Sequence, residues 1–211
     1  VETMQSISLE EPDRARYLGL LSQQAHRMQT LVNDLLTLSR LEGSPAPGNG
    51  EWVEGDDLLR QVVQEAQGLS HTVAQPPHVI EVQQGPALQI SGVRSELLSA
   101  MSNLASNAVR YTPGGGHIRL GWRQRVEGGA EFFVSDSGPG IATEHLPRLT
   151  ERFYRVDRSR SRETGGTGLG LAIVKHVVQR HGGQLRIESR LGKGSVFTLV
   201  VPAQRVRVTA L

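Results

Sequence analysis

Cysteine is absent from the 211 residues, so neither a disulfide framework nor a cysteine-ligated metal is open to this chain. That lack is compatible with a reducing cytoplasm. No apolar run approaches the roughly 18 residues that a membrane span needs, and the start carries no cleavable signal pattern. The stretch is therefore expected to be soluble, without direct membrane contact. Charge of one sign is also missing. The 23 Lys and Arg against 21 Asp and Glu leave a net charge of +2, too small to argue for nucleic acid as a partner. The seven histidines show no metal-ligand clustering, which speaks against a zinc enzyme. Aromatics make up only 4%, yet 37% hydrophobic residues over this length suffice for one good-sized domain or two small ones.

What is present is glycine, and two segments hold it at meaningful positions. Asp136-Ser137-Gly138-Pro139-Gly140, followed by Ile141, comes after the apolar run Glu131–Ser135, so Asp136 stands where a strand ends and a tight turn begins. A carboxylate there accepts a hydrogen bond, while Gly138 and Gly140 let a flat ligand lie against the backbone. Gly165-Gly166-Thr167-Gly168-Leu169-Gly170-Leu171 runs directly into apolar positions at helical spacing. A glycine loop that opens a helix presents free N–H groups and the positive end of a dipole, which suits a polyphosphate. Upstream, Leu97, Leu98, Met101, Leu104, Ala105 and Ala108 form one helical face, with Asn103 and Asn107 four apart on another. Two amides on one face suit a hydrated Mg²⁺ that takes only one or two protein oxygens. Each segment alone has an ordinary alternative: a turn, a helix start, a solvated surface.

Taken in order, Asn103–Tyr111, Asp136–Gly140, Phe153 and Gly165–Leu171 resemble the four boxes of a sensor histidine kinase ATP-binding domain, whose fold is shared with gyrase-type ATPases. The stretch 149–157 is similar to the phosphate-regulon subgroup. The resemblance implies a two-layer α/β sandwich binding ATP or ADP with Mg²⁺. Asp136 would take the adenine amino group, Asn107 the metal, and Asn103 the phosphates or a bound water, with Asn103 and Asn107 the catalytic pair. Arg110 and Tyr111 would contact phosphate and flank the base. Gly138, Gly140, Ile141, Gly166, Thr167, Gly168, Leu169 and Gly170 would complete the nucleotide site. Residues 142–167 look like an ATP lid, docked to the body by Phe153, with six arginines between Arg148 and Arg162. A homodimer and a response regulator receiver domain are the implied partners.

The rest of the chain supplies context. Residues 1–4 read as the end of a helix and residues 6–12 as a connection. From Asp13, a plausible N-cap, to about Leu41, leucines recur at three and four residues, which makes a seam for another helix. By resemblance, residues 1–42 are part of a dimerisation and histidine-phosphotransfer domain, and residues 51–211 the catalytic domain. The Gly- and Pro-rich residues 43–50 read as a linker about which two bodies move. A helix capped by Asp56 or Asp57 follows. Residues 79–82 and 88–90 read as a pair of strands split by Gly85-Pro86, and 117–122, 131–135, 182–188 and 194–200 as further strands of a mostly antiparallel sheet with helices on one side.

No histidine is followed by glutamate, so the acceptor motif of the form His-Glu-x-x-Arg/Thr-Pro is lacking. The resemblance then implies a piece of a longer protein, with the acceptor helix, sensor and inner-membrane anchor upstream. Two other classes stay open: a gyrase- or chaperone-type conformational ATPase, which would place a glutamate base where Asn103 stands, and a non-catalytic binding module using the basic lid.

Overall fold

The computed structural model describes residues 11–48, 51–156 and 166–208. Expectations for residues 1–10 and for the centre of the lid lie outside them. The leucine-rich segment forms one helix, α1 (Glu11–Gly43). It is already helical at Glu11, so Asp13 lies inside it and is not its cap. Its apolar seam divides. Leu18, Leu21, Met28 and Leu35 are exposed, whereas Leu38 and Leu41 are 2% and 5% exposed and belong to the main core.

Helix α2 (Gly55–Val73) starts one residue before the expected caps, with Glu54 at the cap position. Asp56 and Asp57 sit in its first turn, where carboxylates favour the positive end of the helix dipole. Leu58, Leu59, Val62 and Ala66 are buried at the spacing of one helical face. Helix α3 (Arg94–Tyr111) buries Leu97, Met101, Leu104, Ala105 and Ala108, and α4 (Gly170–Arg180) buries Ile173, Val174, Val177 and Val178. These stripes cover one face of a sheet, in two layers as expected.

That sheet joins β2 (Val79–Gln83), β4 (His117–Gln124), β5 (Ala130–Asp136), β6 (Gln184–Arg190) and β7 (Gly194–Val201) in the order β2-β4-β5-β7-β6. Only β2 and β4 run parallel. Trp122 and Phe132, both buried, meet at 5.4 Å between ring centroids, and the Trp122 indole N–H donates to the Gly55 carbonyl at 3.0 Å. One bond thus fixes the start of α2 against the sheet.

The expected pairing of residues 79–82 with 88–90 does not occur. β3 (Leu88–Ser91) lies instead in a second, three-stranded sheet between β1 (Trp52–Glu54) and β8 (Val206–Val208). Gly85 passes so close to the Trp122 carbonyl that a side chain would collide. The chain thus continues alongside β4 past the Gln83–Gly121 pair before it reaches β3.

The linker is held. Arg180 donates to the carbonyls of Leu41 (2.9 Å) and Ser44 (2.6 Å) and to the Glu96 carboxylate at 3.1 Å. Buried Arg205 donates to the carbonyls of Pro47 (2.6 Å), Gly48 (3.2 Å) and Ser91 (3.1 Å). Two guanidiniums thus satisfy the backbone of a Pro- and Gly-rich stretch that composition alone reads as free.

Candidate functional site

Helix α3 is the spine on which the site is built. Asn103, at its middle, donates from Nδ2 to the Ser99 carbonyl at 2.8 Å, which aims Oδ1 outward. That oxygen meets the start of α4: a Cβ on Gly170 would lie 2.5 Å from it. Gly170 is thus what lets the amide close on a helix N-terminus, with its unpaired N–H groups. Asn107, one turn on, and Arg110 are half-buried, and Tyr111 is exposed. From Asn103 to Tyr111 is about 12 Å of helix axis, the span between a purine and the far end of its triphosphate.

One end of the site forms around Asp136, the last residue of β5. Its Oδ1 accepts the Gly138 N–H at 2.9 Å, the Asx-type bond that shapes the turn. Burial pushes the Asp136 carboxyl above its ordinary value, opposed by backbone hydrogen bonds from Gly138 and Ser195. Its half-buried carboxylate and the Tyr111 carbonyl oxygen meet at Gly138, where a Cβ would lie 2.8 Å and 3.1 Å from them. Gly140 has φ +71°, and a side chain there would collide with the Arg190 carbonyl, so glycine is required. Ile141 N–H donates to Ser189 Oγ at 2.8 Å, and Ser189 Oγ is 2.9 Å from Ser195 Oγ. These two serines were not legible as site residues. Strand register alone brings Ser195 opposite Asp136.

At the other end, Gly168 has φ +76° and Phe153 φ +61°, and the Phe153 N–H donates to the Gly168 carbonyl at 2.9 Å. Leu169, fully buried, precedes α4, and its N–H donates to Thr167 Oγ1 at 3.2 Å. Arg155 donates to the Gly166 carbonyl. Phe153 does not dock the lid by its ring, which is 56% exposed; its main chain makes the tie. Leu149 is the buried apolar side chain of this stretch among the described residues, and half-buried Tyr154 makes its contacts within the stretch. The Tyr154 hydroxyl lies 2.7 Å from His145 Nδ1, and Arg148 stacks 4.2 Å over its ring.

The chain also reaches this end from α1. Asp34 accepts a 2.6 Å hydrogen bond from Thr167 Oγ1. Burial raises the Asp34 pKa and the Thr167 bond opposes the rise. Glu42 pairs with Arg152 and lies 3.4 Å from His176 Nε2. Burial, Arg152 and Lys175 depress the His176 pKa, so arginine is the charged partner near neutrality. Nothing in the local sequence flags Asp34, which lies far away along the chain.

A cleft of about 410 Å³ between Leu146, Pro147, Lys175 and Ile187 is lined by none of the residues expected at the nucleotide site. The converging polar groups, not that volume, mark the site.

The profile of the histidine kinase-, DNA gyrase B- and HSP90-like ATPase family matches residues 92–205. The chain is 52% identical over 194 residues to the phosphate regulon sensor protein PhoR of Pseudomonas aeruginosa, covering 92% of this chain and 43% of that protein. It is 38% identical over 198 residues to the sensor-like histidine kinase SenX3 of Mycolicibacterium smegmatis, covering 92% and 50%. It therefore spans about half the length of these relatives. Among solved structures it resembles the mycobacterial sensor histidine kinase MprB, with a TM-score of 0.62 and 30% identity over 74% of this chain and 98% of that one. It also resembles full-length ShkA in complex with AMPPNP, with a TM-score of 0.73 and 28% identity over 99% and 42%. With more than half its length inside one family profile, and with glycine turns, amides and carboxylate converging on α3, the chain carries an ATP-binding domain and belongs to the histidine kinase-, DNA gyrase B- and HSP90-like ATPase family.

Proposed function

We propose that this chain is the catalytic region of a two-component sensor histidine kinase, transferring the γ-phosphoryl of Mg-ATP to a histidine and thence, in the whole protein, to an aspartate of a response regulator receiver domain. The observation that carries this reading is Asn103. The side chain closing on the start of α4 is an amide, and an amide is a poor base for activating water. Transfer to a protein nucleophile is then favoured over hydrolysis.

In this reading Asp136 accepts the adenine amino group while Tyr111 flanks the base. Gly138, Gly140 and Ile141 shape the pocket floor, and the N–H groups of Gly166, Thr167, Gly168, Leu169 and Gly170 face the phosphates. Arg110 and Phe153 border them. Asn103 and Asn107 offer half-buried amide oxygens. Among the described residues no group of three or more His, Cys, Asp or Glu side chains converges. That donor set suits a cation that keeps most of its water, with Asn107 the direct ligand. Mg²⁺, when bound, supplies charge neutralisation at the phosphate oxygens. The acceptor imidazole nitrogen bonds to Pγ as the bond from Pγ to the bridging oxygen breaks, and ADP leaves with that electron pair. This chain's share is to hold the nucleotide in line and stabilise charge.

Residues 1–42 are proposed as part of a dimerisation domain, 43–50 as its linker and 51–211 as the catalytic domain. Likeness to a phosphate regulon sensor supports a role in phosphate-starvation signalling; the whole protein is proposed as a homodimer anchored in the cytoplasmic membrane, with this region inside. Among the described residues no helix is long and apolar enough to cross a membrane.

The test is to mix the chain with a separate hairpin carrying an acceptor histidine and labelled Mg-ATP. Acid-labile, base-stable label on the hairpin, and none on this chain, is expected. Label on the chain itself, or none on the hairpin despite bound nucleotide, would overturn the assignment.

A further inference from the structure

The cleft of about 410 Å³ beside Lys175 is apart from the residues assigned to the nucleotide, and three separate elements wall it. Leu146 and Pro147 stand on the short 3-10 helix Thr143–Arg148, Lys175 and Gln179 lie one turn apart on the exposed face of α4, and Leu185 and Ile187 project from β6. A space of this size is within the range of sites that take a ligand. Its walls are apolar and amide, and Lys175, exposed, is the one charged residue among the described residues that line it. No carboxylate lines it.

The strand on its floor is also open on one side. β6 ends the five-stranded sheet and pairs only with β7. Among the described residues no backbone–backbone bond joins Leu185, Arg186, Ile187 or Glu188 to anything beyond that partner. Such an edge offers N–H and C=O groups to another extended chain. Along β6, Leu185 and Ile187 are half-buried against the core, while Arg186 and Glu188 alternate with them and are exposed on the opposite face. An added strand would therefore set every second side chain on the face that carries Leu146, Pro147 and Lys175. One cation is too little for a nucleic-acid backbone, which takes several, whereas apolar walls beside a strand edge suit a peptide.

We propose that this cleft is a docking site for an extended, acidic segment of a partner protein, added to β6 as a further strand, with an apolar side chain between Pro147 and Ile187 and a carboxylate two residues along on Lys175. The strand edge supplies affinity through main-chain bonds. The side-chain pockets supply the choice of sequence. Nothing in this depends on bound nucleotide, so it stands or falls separately from the kinase reading.

The probe is the fluorescein-labelled peptide Thr-Val-Thr-Glu-Thr-Val-Thr, whose valines and glutamate share one face when extended, titrated into the full chain and read by anisotropy. Saturable binding is expected. Lysine in place of the peptide's glutamate, or Lys175→Glu in the chain, should each weaken binding roughly threefold to fivefold, and the two changes together should restore it. A disturbed fold would not give that rescue. N-methylation of every peptide amide should lower affinity roughly tenfold or more, because the donors of the added strand are gone. Hydrogen exchange across residues 184–188 should slow when the unmodified peptide is bound. No binding of the peptide, binding that survives N-methylation, or unchanged exchange along β6 would overturn strand addition. A charge swap without rescue would overturn the role of Lys175.

Discussion

Asp34 and Thr167 stand 133 positions apart in the chain and share a 2.6 Å hydrogen bond. The carboxylate comes from the long helix and the hydroxyl from the glycine loop that opens α4, so the helix touches the segment proposed to hold phosphates. Leu38 and Leu41, buried beside it, make the contact more than polar.

The first prediction concerns that pair. A double-mutant cycle of Asp34→Ala and Thr167→Val, read by urea denaturation, should return a coupling of about 1 kcal/mol, since the bond involves a charged acceptor but is only half-buried. Simple additivity would mean the contact contributes nothing. The pair also has a pH signature. The Asp34 carboxyl is held above 3.8 by burial, so the folded state binds more protons there than the unfolded state. The stability of the parent relative to Asp34→Asn should be greatest below 3.8 and decline as pH rises through the raised folded value. A difference that is flat with pH would contradict the burial argument.

For Asp136 the expected effects on affinity and stability run in opposite directions. Asp136→Asn should weaken Mg-ADP binding roughly tenfold to a hundredfold, because an amide presents a donor as well as an acceptor to the base edge. The melting temperature should hold or rise, since the substitution removes a charge that burial disfavours. Calorimetric titration and thermal unfolding read the two separately, and intact affinity would remove Asp136 from the site.

His181 should impose an acid limit. It is 2% exposed, lies 2.8 Å from the Val177 carbonyl through Nδ1, and accepts the Val93 N–H at Nε2. An imidazole that accepts at one nitrogen must stay neutral, and burial depresses its pKa below 6.5. The unfolded state then binds more protons than the folded state, so stability is complete above 6.5 and is lost as pH falls through the depressed value. Melting temperatures of the parent should fall between pH 7.5 and 5.5 more steeply than those of His181→Gln. Parallel slopes would assign the acid sensitivity elsewhere.

The last prediction addresses the linker. Arg205→Met removes hydrogen bonds to the carbonyls of Pro47, Gly48 and Ser91 while keeping an apolar stem. A loss of about 1.5–3 kcal/mol in denaturation is expected, the cost of hydrogen bonds to a charged group, together with faster hydrogen exchange near residue 48. A neutral substitution would mean the linker is as free as its composition suggests.

Local pattern and physical requirement coincide for much of this protein. A β-strand that ends at Asp136 and turns at Gly138, a glycine run entering an apolar helix, and Asn103 and Asn107 four apart on one helix are each relations over a few residues. The chemistry they offer is therefore legible in the chain itself, as are the helices whose apolar stripes recur at three and four. What the chain could not display were relations made across long separations. β3 pairs with β1 and β8, strands distant from it in the chain, and strand register sets Ser195 beside Asp136. Phe153 is tied through its main chain while its ring stays exposed and Leu149 is buried, because only packing decides which apolar side chain finds a surface. Asp34, Arg180 and Arg205 look like ordinary polar residues in sequence. Their partners are a hydroxyl and carbonyls elsewhere in the chain, and a hydrogen bond acquires its meaning only when folding brings its two ends together.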